Sequence, residues 1–284
     1  MPGMRELKKH LKSINTTSQL AGAMKTVSSA KYSRVNKIYA GYLLYARSCE
    51  EIISRFGSSL VSALPCTDPD APECLVVITS NRGLCGGYNS SLLAYAEECI
   101  GEVVQRGRAY KIVVCGKMAS TYFAEHGVEL EREFNLPDVP TYSSCAEIYE
   151  YLRSQFLLGS FSSVSFVYQH FKNMLTQIPS KKQLLPLSDD IPEAGMNGAD
   201  EILYIPDKAT VMKNACLTCV DSSMYSTILE AATGAQAATL MAMREASDNA
   251  KESIAALELE ISRKRQSEVT SSVIETYSPE EDNN

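Results

Sequence analysis

The chain has 284 residues, of which 45% are hydrophobic and 21% charged, with a net charge of −7. That length suits one or two domains, and that apolar content excludes disorder over most of it. No apolar run reaches about 18 residues, and no apolar stretch follows the basic start MPGMRELKKHLKS, so neither a membrane span nor a secretory signal is expected.

The nine cysteines (49, 66, 74, 85, 99, 115, 145, 216 and 219) are odd in number and lie mostly in apolar stretches, the pattern of reduced, buried thiols in a cytosolic chain. Charge is distributed unevenly. Residues 1–56 hold ten Lys and Arg against three Asp and Glu, a net +7, which leaves −14 for the remainder. A basic arm on an acidic protein implies an acidic partner surface, a nucleic acid, or simply a solvated helix face.

Nine of the eleven prolines fall between Pro65 and Pro206, so the flanks 3–64 and 207–278 are free to be long helices. In the first flank, alternating steps of four and three run through Leu7, Leu11, Ile14, Ser18 and Ala21. They resume at Tyr32, Val35, Tyr39, Tyr42, Ala46, Cys49, Ile53 and Phe56, with Lys25 and Ser28 at weak seam positions between. This is a coiled-coil stripe. The second flank repeats it at Met224, Ile228, Ala231, Ala235, Ala238, Ala242 and Ala246, where alanine permits close backbone approach. Each flank is the other's natural partner, and roughly 50 helical residues reach on the order of 75 Å, which predicts a rod on a globular body. Gly22, Gly41 and Gly234 inside these helices weaken them by about 1 kcal/mol each relative to alanine.

The middle section predicts strands at 74–79, 110–116, 164–171 and 201–205. A helix from Ser90 to Arg106 and another in SSCAEIYEYLRSQFLL alternate with them. Such alternation indicates βαβ units and a mainly parallel sheet. Residues 172–200 read as irregular connection. The expected fold is α/β: an N-terminal helix over 1–64, a central Rossmann-like domain over 65–207, a C-terminal helix over 208–278 and an acidic tail at 279–284.

The one conspicuous local motif is TSNRGLCGGYN at 79–89, a glycine cluster between a strand and a helix. Backbone N–H groups there could cradle a phosphate. However, Gly83, Gly86 and Gly87 match neither G-x-G-x-x-G nor G-x-x-x-x-G-K-[ST], and no lysine follows to reach a phosphate. A tight structural turn is the favoured reading, with Arg82 available to an anion or a partner carboxylate. The three histidines lie in separate elements, and the single C-x-x-C at Cys216 and Cys219 is at most half a zinc ribbon, so no metal or catalytic constellation emerges. The tyrosines at 32, 39, 42 and 45 follow the hydrophobic seam, which favours packing over base stacking and speaks against nucleic acid.

Three segments in order carry a resemblance: RELKKHLKSINTTSQLAGAMKTVSSAKYSRV, SNRGLCGGYN and LMAMREASDNAKESIAALELEISRKRQSEVT. Together they resemble the gamma subunit of F-type ATP synthases, in its bacterial form, over almost the whole chain. The resemblance implies an antiparallel coiled coil of the terminal helices and a Rossmann-like domain that binds no nucleotide or other cofactor. It implies a central rotor shaft without a catalytic site, coupling ion flow through the membrane sector to ATP synthesis. Its implied partners are the alpha and beta subunits of the ring, the epsilon subunit and the membrane c-ring, on the cytoplasmic side of the cell membrane. It implies coupling contacts at Met24, Lys25, Arg82, Arg265, Gln266 and Thr270. Asn81 stands where the family signature has aspartate, Ala235 and Thr239 where it commonly has glutamate and arginine, and Lys264 and Ser267 flank the retained Arg265 and Gln266. The competing expectation is a nucleotide-dependent α/β enzyme with helical dimerisation arms, resting on the glycine loop alone, and a third is a coiled-coil scaffold without motor function.

Overall fold

The computed structural model describes residues 3–61, 64, 68–187 and 204–277. Two long helices, α1 (Met4–Val61) and α5 (Lys208–Tyr277), enclose in sequence a five-stranded sheet with its connecting helices. Local chemistry starts both. The Glu6 carboxylate accepts the Gly3 N–H at 2.9 Å. Asp207 accepts the Thr210 N–H at 2.9 Å and its O–H at 2.8 Å, a helix N-cap that holds the Asp207 carboxyl below its ordinary range.

The chain forms two compact units, one of Met1–Val27 with Met241–Asn284, the other of Ser28–Leu240. In the larger unit the α1 seam is buried at Ser28, Val35, Ala46 and Cys49. The Tyr42 O–H donates to Ser222 Oγ at 3.0 Å, and the Cys219 thiol donates to the Cys49 carbonyl at 3.6 Å, so residue numbers rise along α1 as they fall along α5. The helices are antiparallel here. In the smaller unit the α1 stripe continues through buried Leu7 and Ala21 with half-buried Leu11, Ile14 and Ser18. The side chain of Ile53, also expected in the seam, lies outside the described residues.

On α5, Met224, Ile228, Ala231, Ala235 and Ala238 are buried as the spacing predicts, whereas Ala242 and Ala246 are half-buried and the stripe passes to Met243, Ser247 and Ala250. A straight α-helix drifts about 20° per heptad against a strict 3.5-residue repeat, so the buried face moves on by one residue.

Between the helices in sequence come β1 (Glu73–Ile78), α2 (Tyr88–Gln105), β2 (Tyr110–Cys115), α3 (Lys117–Glu125), β3 (Arg132–Phe134), α4 (Ala146–Leu157), β4 (Ser163–Phe171) and β5 (Gln177–Leu185). The sheet order is β3-β2-β1-β4-β5, parallel except for β5. Alternation along β1 divides the core. Leu75 and Val77 pack with Leu92, Ala96, Val103 and Phe123 of α2 and α3, and Cys74, Val76 and Ile78 pack with Leu152 and Phe156 of α4 and Met224 and Ile228 of α5. Burial of both faces explains why CLVVIT is continuously apolar.

Two expectations change. Residues 172–200 are not all irregular, since β5 forms an antiparallel hairpin with β4 across a turn in which Asn173 Oδ1 accepts the N–H groups of Leu175 and Thr176, both at 2.9 Å. Pro179, Lys181 and Lys182 obscured this strand, and an edge position tolerates all three. The strand expected at 201–205 falls partly outside the described residues, and Tyr204 and Ile205 are irregular. The acidic tail at 279–284 also lies outside them. The short α3 and β3 were not expected at all.

Candidate functional site

The glycine loop joins the end of β1 to the start of α2. Of its three glycines only Gly86 lies in the left-handed region, at φ +58°, and the other such residue is exposed Leu84 at φ +65°. Gly87 begins α2 at φ −80°. The loop's polar groups bond to one another: the Ser80 N–H donates to Asn89 Oδ1 at 3.1 Å, and Asn89 Nδ2 donates to Ser80 Oγ at 2.7 Å and to Cys85 Sγ at 3.1 Å. The start of α3 is satisfied from the same loop. Thr79 Oγ1 accepts the Ala119 N–H at 2.9 Å, Asn81 Oδ1 accepts the Lys117 N–H at 3.3 Å, and Asn81 Nδ2 donates to the Leu136 carbonyl. The N–H groups of Lys117 and Ala119 at the start of α3 are thus bonded to side chains of this loop, while the start of α2 carries no side-chain cap. Gly116 permits the fit, because at φ +108° a Cβ there would lie 2.2 Å from the Thr79 carbonyl oxygen.

The strand order reverses between the parallel neighbours β1 and β4, and a doubly wound sheet binds ligands in the crevice at the carboxyl ends of such strands. Here α5 occupies it. The Tyr88 O–H donates to the Ala231 carbonyl at 2.7 Å, and Gln169 Nε2 donates to the Tyr88 carbonyl at 2.9 Å. Glu230 Oε1 accepts the Phe171 N–H at 2.9 Å and lies 2.5 Å from His170 Nδ1. The cavity left among Thr79, Asn81, Tyr88, Ala231 and Ala235 is about 40 Å³. Ligand pockets run roughly 300–1,000 Å³. Burial pushes the Tyr39 hydroxyl up to about 12, and the Glu230 charge adds to it.

Glu230 was not singled out from sequence, although it is the one acid in the alanine-rich stretch 222–244. That isolation was the available signal, because a buried carboxylate must be bonded.

The remaining candidates do not form one cluster. Met24 and Lys25 are half-buried on α1, and Arg265, Gln266 and Thr270 are exposed on α5, all in the smaller unit. The Thr270 hydroxyl donates to the Gln266 carbonyl at 2.9 Å, and among the described residues no hydrogen bond or ion pair links Met24 or Lys25 to α5. Arg82 and the three glycines belong to the larger unit, where Arg82 is exposed. At two positions that depart from the family pattern, the Thr239 hydroxyl donates to the Ala235 carbonyl at 2.8 Å within α5. Cys216 and Cys219 are buried free thiols, as are the other described cysteines. Among the described residues no group of three His, Cys, Asp or Glu is placed to hold a metal, and no helix is long and apolar enough to cross a membrane.

A family model described as ATP synthase matches residues 3–279. ATP synthase gamma chains of Desulforudis audaxviator and Desulforamulus reducens are 29% and 30% identical to this chain, over 290 and 280 residues, with 97% of each chain covered. In structure the chain is similar, at a TM-score of 0.68 and 16% identity, to a chain of the Euglena gracilis mitochondrial ATP synthase solved with OSCP, F1 and c-ring, covering 96% of this chain and 92% of that one. With a family model spanning nearly the whole sequence and gamma chains matched end to end, this chain belongs to the ATP synthase gamma chain family.

Proposed function

We propose that this chain is the central rotor shaft of an F-type ATP synthase and carries no catalytic site of its own. The observation that supports the second clause is the occupied crevice, where α5 takes the place that a doubly wound sheet reserves for its ligand. The competing reading, a nucleotide-dependent enzyme, needs that space. Titrating the chain with ATP, ADP and NAD tests it: no saturation is expected, and micromolar affinity for any of them overturns the non-catalytic reading.

As a shaft, the chain acts through differential contact. An asymmetric helical pair turning within a ring of alpha and beta subunits presents a different surface to each beta subunit and so biases each site among conformations. The coupling is a free energy and therefore reciprocal, so ATP hydrolysis drives the shaft backwards. Met24, Lys25, Arg82, Arg265, Gln266 and Thr270 are the proposed contacts to alpha, beta, epsilon and c-ring, with the complex on the cytoplasmic face of the membrane. The basic α1 suits acidic partner surfaces. Reconstitution of the chain with those subunits should restore ATP-driven ion pumping, and a complex lacking it should not pump.

A further inference from the structure

The two cysteines of the C-x-x-C motif on α5 have different surroundings. Cys216 is fully buried in the core against the sheet, in one cluster with Met212, Val220 and Met224. Cys219 lies outside that cluster and turns to α1, where its thiol donates to the Cys49 carbonyl at 3.6 Å and the two thiols also interact with each other. Two sulfurs thus meet across the seam of the antiparallel helices, on residues 170 positions apart in the chain. A disulfide needs Cβ atoms about 3.5–4.5 Å apart. A sulfur 3.6 Å from the backbone carbonyl of the opposite cysteine is close enough for one.

The pair is buried but borders an open groove. Tyr45, whose hydroxyl hydrogen-bonds the Cys49 thiol, and Thr218, next to Cys219 in the chain, both line the groove between α1 and α5, and Tyr45 is about half exposed. An uncharged oxidant of a few atoms needs no wider approach. The two thiols are not equivalent. Burial first, and then the Cys49 thiol, push Cys219 up to about 12, so it stays protonated at neutral pH and is a poor first nucleophile. Cys49 is 5% exposed against 2% for Cys219 and lies against the groove-lining Tyr45, so an oxidant reaches it first. Cys219, held in contact with it, then reacts by proximity.

We propose that Cys49 and Cys219 are a redox-modification site, joined by a hydroperoxide into a reversible disulfide that ties α1 to α5. Hydrogen peroxide transfers one oxygen to the Cys49 sulfur, leaving a sulfenic acid and releasing water. The Cys219 sulfur then attacks the Cys49 sulfur, the hydroxyl leaves as a second water with the Cys219 proton, and the S–S bond forms. Two thiols and one peroxide give one disulfide and two waters, and a dithiol reverses the change by exchange. The proposal does not depend on the rotor reading. The folded full-length chain is treated with hydrogen peroxide, its remaining thiols are alkylated, and it is digested without reductant for mass spectrometry. A peptide pair joining Cys49 to Cys219 is expected, lost on treatment with dithiothreitol, and the oxidised chain should melt at a higher temperature than the reduced one because the bridge closes a long loop. Cys216→Ala should still form the bridge. Cys219→Ala should leave a Cys49 sulfenic acid that dimedone labels, whereas Cys49→Ala should leave Cys219 unlabelled. Absence of the bridged pair in the wild-type digest overturns the proposal whether or not the variants fold. A bridge that uses Cys216 instead, or one that forms only in urea, overturns it too.

Discussion

Asn81 shows how one atom decides whether a departure from a family pattern is tolerated. Its amide accepts from Lys117 on one side and donates to Leu136 on the other, and a carboxylate can perform only the first of these. Asn81→Asp would turn an acceptor towards the Leu136 carbonyl, and a destabilisation of about 1–3 kcal/mol by urea unfolding is expected. An unchanged midpoint would mean that the loop adjusts. Arg265 poses the opposite case, since it is exposed and its proposed role is a contact outside the chain. Arg265→Ala should change stability by less than about 0.5 kcal/mol. In the assembled complex it should lower ATP synthesis and ion pumping, because a planar guanidinium pairs with a carboxylate in two places at once. Membranes that pump like wild type would remove Arg265 from the coupling contacts.

At the scale of an element, the glycines of the long helices separate by what surrounds them. A Cβ at Gly22 meets nothing within 4 Å, whereas one at Gly234 would lie 3.3 Å from Tyr88 Cε2 and 3.5 Å from Gln177 Cγ. Gly22→Ala should therefore gain the helix-propensity difference, about 1 kcal/mol. Gly234→Ala should lose stability, because the Tyr88 ring is fixed by its bond to Ala231 and cannot yield. Thermal midpoints moving in the same direction for the two variants would refute this contrast. The start of α5 has its own test. Hydrogen bonds from Thr210, the backbone one first, hold the Asp207 carboxyl below its ordinary range in the folded chain. Its contribution is thus present above the unfolded carboxyl's range and is lost as the pH falls through the lower folded value. Asp207→Ala should lower the midpoint at pH 7 and leave it unchanged once both forms are protonated. A midpoint loss that persists in strong acid would show that the cap does not act through charge.

For the whole molecule, the far end of α5 is the informative region. From Arg265 to Ile274 every residue is exposed, including Val269, Val273 and Ile274 at 57%, 50% and 61%. An unpacked helix of that length is marginal in water, and exposed apolar side chains on it suit a surface supplied by other subunits. In the isolated chain, amides over 265–274 should exchange much faster than those of Val220–Ala238, and assembly into the complex should slow them. Equal protection in the free chain would show that the helix end is autonomous.

The chain's helical flanks and apolar strands were legible in the sequence because each rests on short-range spacing. Steps of three and four marked the α1 seam from Leu7 to Cys49, and β-branched runs marked β1, β2 and β4. Family membership was legible too, since it needs only ordered motifs. The edge strand β5 and the crevice were decided in three dimensions. Pro179 and two lysines are compatible with a strand only when one side of it has no neighbour to pair with. The glycine loop reads the same with a phosphate beside it or without one, and what fills the crevice is α5, held there by Tyr88 meeting Ala231, residues 143 positions apart in the chain. Local pattern specifies elements, but which helix fills a sheet's crevice depends on contacts between distant segments that no local spacing encodes.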